Sequence, residues 1–246
     1  MADNEIRELT KEQQESVLAI LGDKMQSSSY IPIEVPTKCK WYETNEISIR
    51  PFTFEDEKEA LNPLNKSKNF LNFMIERCIK GIDLDSLFLV DRNYITIKLK
   101  EISTGSTVTA SIECTSCSRK STLKIDLNIL PVNSLDIELP IEVTLPEIKK
   151  LVKIMPPKVT DENFIVSFDL LCKNLWRFVT EIEGVSDVEV INAVLDKLPI
   201  NDIHYLLKTI SMSEFGVQSK VNYLCICGKE QEVEVPITEN FFGDSF

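Results

Sequence analysis

Val108-Thr109-Ala110-Ser111-Ile112, a bend at Cys114-Thr115-Ser116-Cys117, and Leu123-Lys124-Ile125-Asp126-Leu127 make up the stretch on which the fold turns. Apolar and polar residues alternate on both sides of the bend, the period of a half-buried strand. Just upstream, Tyr94-Ile95-Thr96-Ile97-Lys98-Leu99 alternates too, and Gly105 supplies a turn. The whole of 94–128 therefore reads as an antiparallel meander. About a hundred residues later the plan returns. Val217 to Leu224 runs in period two, Cys225-Ile226-Cys227-Gly228 bends, and Val233-Glu234-Val235 leaves as a strand.

Each cysteine pair stands where two strands meet. A Cys₄ zinc site needs four thiolates in a tetrahedron, about 2.3 Å from the metal. A tight turn presents two sulfurs at once, and two facing turns complete the shell, as in a zinc ribbon. Cys114, Cys117, Cys225 and Cys227 are thus the candidate ligands of a structural Zn²⁺. Gly228 suits a turn whose backbone N–H groups must approach sulfur. Arg119, Lys120 and Lys229 lie close by and would offset the double negative charge of a zinc tetrathiolate. The second pair is C-x-C rather than C-x-x-C, and 107 residues (118–224) separate the pairs. Two other readings stay open: reduced thiols without metal, and a redox pair. Redox chemistry is disfavoured because neither pair opens a helix, where a thiol's pKa is depressed. Four protein ligands also close a metal to substrate, so zinc here stabilises rather than catalyses. Cys39, Cys78 and Cys172 have no paired spacing, and Cys78 and Cys172 read as core residues on apolar helix faces.

Upstream of the first hairpin the pattern is helical. Thr10 and Gln13 have capping-box spacing, and Val17, Leu18, Leu21 and Met25 form an apolar stripe, interrupted by Gly22 and ended by Ser27, Ser28 and Ser29. This arm either packs on its own domain or docks on a partner chain. Ile47, Ile49 and Pro51 alternate, so 46–52 is a strand, and Thr53 caps a helix with Glu55, Asp56 and Glu57 in its first turn. A second helix is expected over 67–80, stopped by Gly81, and a short one over 83–92. Residues 131–158 hold five prolines and read as a connector with strand character. Helices are then expected over 161–182, from Ser186 to Leu198, and from Asn201 to Ser213. His204 reads as an ordinary structural histidine. Trp41-Tyr42 reads as a hydrophobic lid or an interface anchor, and Glu181, Glu183, Asp187 and Glu189 as a solvated face.

Composition excludes more than it selects. The 246 residues carry 39 acidic and 27 basic side chains, a net charge of −12, which opposes nucleic-acid and anionic-membrane binding. No apolar run approaches the ~20 residues of a membrane helix, and MADNEIRELTKEQQ is too polar for a signal peptide. A reducing cytosol is the expected compartment, where seven cysteines point to thiols or metal ligands rather than disulfides. One histidine, seven glycines and the absence of a phosphate loop or nucleophile elbow leave no catalytic signature.

Ile47-Ser48-Ile49-Arg50-Pro51-Phe52-Thr53-Phe54-Glu55-Asp56-Glu57, with the helix–strand–Cys-pair–strand order of 67–128, resembles the T4-type baseplate proteins of contractile-tailed bacteriophages over roughly 45–240. The resemblance implies a non-enzymatic structural or assembly protein, a hub component or a chaperone-like helper of hub assembly. It implies other baseplate and hub proteins as partners, an oligomer within the assembly as one arrangement, and host cytoplasm during assembly or the virion tail as location. It supplies no catalytic residues. A cellular zinc-ribbon adaptor outside any virion is the alternative. The expected fold is α+β. An N-terminal helical arm and extended segment (1–45) precede a helix/hairpin unit (46–130), a Pro-rich connector (131–160) and a second helix/hairpin unit with a short tail (161–246). The two units form a degenerate repeat joined by a zinc-ribbon-like Cys₄ site.

Overall fold

The computed structural model describes residues 10–21, 29–65, 69–235, 237 and 239–242. Helix α1 (Lys11–Leu21) opens on the expected capping box: Thr10 N–H donates to Gln13 Oε1 (2.9 Å) and Gln13 N–H to Thr10 Oγ1 (3.4 Å). Met25 and Ser27–Ser28 of the expected stripe lie outside the described residues, as do the side chains of Leu18 and Leu21. Val17 and Ile20 are exposed, and neither joins a buried apolar cluster.

A small antiparallel sheet follows, β1 (Ile31–Ile33), β2 (Ile47–Ile49) and β3 (Ile79–Lys80), with β2 in the middle and Ile47 and Ile49 fully buried. Helix α2 (Phe54–Ala60) starts at Thr53 as expected. Its acids do not share one role, however. Glu55 is exposed, whereas Asp56 points inward and is 1% exposed. Arg50 grips Asp56 with two N–H···O contacts of 2.7 and 2.9 Å, Arg77 Nε adds a third at 2.8 Å, and Thr53 N–H donates at 2.9 Å. Burial pushes the Asp56 carboxyl up, but Arg50, the Thr53 N–H and Arg77 outweigh it and hold the group well below the usual carboxylate range.

Helix α3 (Phe70–Cys78) is capped by Asn69 and buries Leu71, Phe73, Met74, Ile75 and Cys78. It ends at Cys78, not at Gly81 as expected, because Ile79 and Lys80 peel off to pair with β2. Gly81 has another task. Its φ is +100°, and a Cβ there would stand 2.4 Å from the Glu46 carbonyl oxygen, so only glycine fits. Residues 84–86 make a 3₁₀ turn.

The largest departure from the sequence reading is α4 (Leu89–Thr104). The 94–128 meander is a hairpin only from 107 onward; its first limb is helix. Along α4 the buried residues are Val90, Asp91, Arg92, Ile95, Thr96, Ile97, Leu99 and Lys100. They surround most of the helix, so its period is not written in apolar residues alone, and Ile95, Ile97 and Leu99 mimic a strand. The hairpin β4 (Thr107–Glu113) and β5 (Lys120–Asp126) then forms about the expected bend, with Val108 opposite Ile125 and Ala110 opposite Leu123.

After β6 (Val132–Asn133), a second sheet places β8 (Leu151–Ile154) between β7 (Ile141–Thr144) and β9 (Val179–Ile182). The expected 161–182 helix is broken. Two short helices, α5 (Glu162–Ile165) and α6 (Phe168–Lys173), are separated at Ser167, whose side chain caps α6, and β-branched Val179 and Thr180 then enter the sheet. Cys172, expected in the core, is exposed on α6. Helix α7 (Val188–Leu195) is capped by Asp187 rather than Ser186, and α8 (Ile200–Ile210) buries Leu206, Leu207 and Ile210 as expected. These helices and the β7–β8–β9 sheet share one core that includes Phe178, Ile191 and Leu195.

The chain then returns. β10 (Gly216–Val217) pairs with β6, and β11 (Lys220–Leu224) pairs with β12 (Glu230–Glu234). Val233 and Val235 of this second hairpin pack in the first core beside Val108, Ala110 and Ile125. The terminal stretch is more than a tail, since Phe241 and Phe242 are buried there and Phe242 meets Phe52 edge-on at 5.3 Å. The architecture is α+β, with small antiparallel sheets and the two cysteine hairpins side by side.

Candidate metal centre

Strand pairing sets up both cysteine turns. At the end of β4, Cys114 N–H donates to the Arg119 carbonyl (2.9 Å), and Ser118, at φ +53°, returns its N–H to the Cys114 carbonyl (2.9 Å). The second turn is one residue shorter. Cys225 N–H donates to the Lys229 carbonyl (2.9 Å), and Gly228, at φ +83°, donates to the Cys225 carbonyl (2.8 Å). The left-handed position explains Gly228, and the matching bonds explain why C-x-C does the work of C-x-x-C. The turns are tied together: Thr115 N–H donates to Gln231 Oε1 (3.2 Å), and Gln231 Nε2 donates to the Glu113 carbonyl (3.3 Å).

All four predicted ligands come together. The sulfurs of Cys114, Cys117, Cys225 and Cys227 lie within 4.8 Å of one another. Cys114 Sγ is 3.7 Å from Cys227 Sγ, and Cys117 Sγ is 3.8 Å from Cys225 Sγ. A tetrahedron with ligand distances of about 2.3 Å has edges of about 3.8 Å, so these two sulfur–sulfur distances are compatible with a four-sulfur metal site. Cys114 and Cys225 are buried, and Cys117 and Cys227 are exposed. Backbone N–H groups of Cys117 and Ser116 directed at its sulfur hold the Cys114 thiol down at about 6. At Cys117 the Arg119 N–H acts in the same direction, but the Cys227 sulfur, burial and the Cys114 and Cys225 sulfurs together push it up to about 11. Four sulfurs sharing one site cannot all ionise without a cation among them. Among the described residues no other group of three or more His, Cys, Asp or Glu has this spacing.

The remaining tempting residues take surface, pairing or packing positions. His204 is exposed on α8. Glu181 pairs with Lys153 (3.0 Å) and Glu183 with Lys150 (3.6 Å), while Asp187 caps α7. Trp41 and Tyr42, both half-buried, pack on Phe88, with ring centroids 6.4 and 5.7 Å away. Tyr42 also bonds Asp91 (2.5 Å), a fully buried carboxylate that accepts from Thr37 N–H (3.1 Å) and Thr37 Oγ1 (2.5 Å). Burial pushes Asp91 up against the pull of these donors. Sequence reading missed Asp56 and Asp91 as buried anchors. Both stand within the first turn of a helix, where an acid is ordinarily read as a solvated dipole partner.

No helix among the described residues is long and apolar enough to cross a membrane. No curated protein and no solved structure matches the chain. A family model described as "T4 bacteriophage base plate protein" does match, over residues 33–242, a span that holds the three buried apolar clusters, the Arg50–Asp56–Arg77 cluster and all four clustered cysteines. The chain belongs to the T4-type phage baseplate family.

Proposed function

We propose that this phage baseplate protein serves the baseplate hub, as a component or as a helper of its assembly, and acts by holding other tail proteins rather than by catalysis. The four-sulfur cluster carries the physical part of the reading. Cys114, Cys117, Cys225 and Cys227 would hold a Zn²⁺ that staples the ends of two hairpins 108 positions apart (Cys117 to Cys225). A bound zinc would supply folding energy, and four protein ligands leave it no open position for substrate. In this reading 46–130 and 161–246 are two related units bridged by the metal, with 131–160 between them. Membership of the baseplate family supports the partners and the place in the tail.

Affinity capture of the tagged chain from infected cells, with purified mature particles assayed in parallel, tests the assignment. Co-capture of hub proteins is the expected result. The chain's presence in particles would make it a component, and its absence a helper. Co-capture of peripheral baseplate proteins without hub proteins would overturn the hub reading.

A further inference from the structure

The two short sulfur contacts of the four-cysteine site both cross from one hairpin to the other. Cys114 Sγ lies 3.7 Å from Cys227 Sγ, and Cys117 Sγ lies 3.8 Å from Cys225 Sγ. Each contact also joins a buried residue to an exposed one, since Cys114 and Cys225 are buried while Cys117 and Cys227 are exposed. A small oxidant can therefore reach one member of each pair, with the other member beside it. That is the arrangement of an attacking thiol and a resolving thiol.

Four cysteines allow three pairings. Pairing within the turns requires a Cys225–Cys227 bond with only Ile226 between. So short a ring strains a disulfide and makes it readily reduced. Of the two pairings that cross, Cys114 with Cys227 and Cys117 with Cys225 follows the contacts already made. Bond formation brings each pair of sulfurs to about 2.05 Å. Gln231, bonded to Thr115 N–H and to the Glu113 carbonyl, holds the two hairpins together while the sulfurs close.

We propose that the site is a staple with two forms: four thiolates around zinc in a reducing cytosol, and two crossed disulfides, Cys114–Cys227 and Cys117–Cys225, once the chain meets the oxidising surroundings of a released particle. The first form rests on the zinc reading above; the second rests on the sulfur contacts alone. The oxidant is a low-molecular-weight disulfide. The exposed thiolate of each pair attacks one of its sulfurs, a mixed disulfide forms and one small thiolate leaves. The buried thiolate then attacks the protein sulfur of that mixed disulfide, and the second small thiolate leaves. Each protein bond thus takes two electrons from the chain and reduces one small disulfide to two thiolates. Two rounds use all four thiolates, and the site keeps no negative charge to hold a cation, so Zn²⁺ is released. The step runs once, without turnover. It needs no helix start to depress a thiol, because sulfurs that ligate a metal are already deprotonated. Both bonds close long stretches of chain, where a cross-link constrains the unfolded state most.

The test uses the full-length chain with Cys172→Ser, which removes the exposed thiol outside the cluster, purified reduced and then treated with oxidised glutathione. Zinc release should accompany the loss of four thiols per chain, and fragmentation of the linked peptides should join Cys114 to Cys227 and Cys117 to Cys225. The oxidised chain should keep its melting temperature in chelator, whereas that of the reduced chain should fall. Thiols that stay free with zinc retained overturn the proposal. So do glutathione adducts or within-turn bonds as the end product, or an oxidised chain that melts like the chelated reduced one. Reduced protein without zinc that still forms the crossed bonds overturns the metal reading and leaves the disulfide staple standing.

Discussion

Replacing Asp56 by Asn isolates the charge at the centre of the Arg50–Asp56–Arg77 cluster. The substitution keeps the size of the side chain and an acceptor for the Thr53 N–H, but leaves two guanidinium groups facing a neutral amide. Removing one partner of a buried ion pair costs about 3–5 kcal/mol. The Arg50 and Arg77 side chains are 17% and 35% exposed and recover part of their hydration, so the low end, about 3 kcal/mol, is expected. For a chain of this length each kcal/mol lowers Tm by about 2–4 °C, which gives a fall of roughly 6–12 °C by circular dichroism. Glu57→Gln in the same turn removes only a partly exposed dipole contact and should cost under about 1 kcal/mol. The pH dependence has a definite sign. Asp56 is held below its ordinary range in the folded chain. Its contribution is therefore complete above the unfolded carboxylate value of about 4 and is lost as the pH falls through the lower folded value. The variant should lose that acid-side slope. A Tm within about 2 °C of wild type, with the acid-side slope unchanged, would refute the role given to this cluster.

Asp91 should behave in the opposite sense. Burial raises it, so stability falls as the pH climbs through the raised value, and Asp91→Asn should flatten that fall in urea midpoints measured above about pH 4. Gly81→Ala should destabilise by more than about 1 kcal/mol, because the new Cβ meets the Glu46 carbonyl and φ is positive; an unchanged urea midpoint would contradict the Gly81 geometry. Deleting residues 1–28 should leave Tm nearly unchanged, since Val17 and Ile20 of α1 are exposed, and should weaken capture of baseplate partners; a large Tm drop would place the arm in the core.

The hairpins and their cysteines were legible because strand period, turn glycine and ligand type coincide there. Val108 to Leu127 and Val217 to Val235 alternate, and the bends can do little but hold the sulfurs. Helix α4 was not legible. Asp91 and Arg92 are buried polar residues in it, and Ile95, Ile97 and Leu99 face different neighbours, so the apolar count follows period two while the backbone follows 3.6. The break at Ser167 was hidden for a related reason. Phe164, Phe168, Leu171 and Leu175 keep helical spacing across it, yet Phe168 is exposed and only Leu175 is fully buried. Local caps at Ser167 and Asn69 settled boundaries that the apolar pattern left open. The inward turn of Asp56 depends on Arg77, 21 positions away, and no local pattern announces that partner.

The most direct test of the metal centre is the zinc content of protein purified without chelator, wild type beside Cys114→Ser and Cys225→Ser. About one zinc per wild-type chain is expected, released in both variants together with a loss of folding stability, because binding energy at such a site is folding energy. Wild-type protein that carries no bound metal would contradict the account.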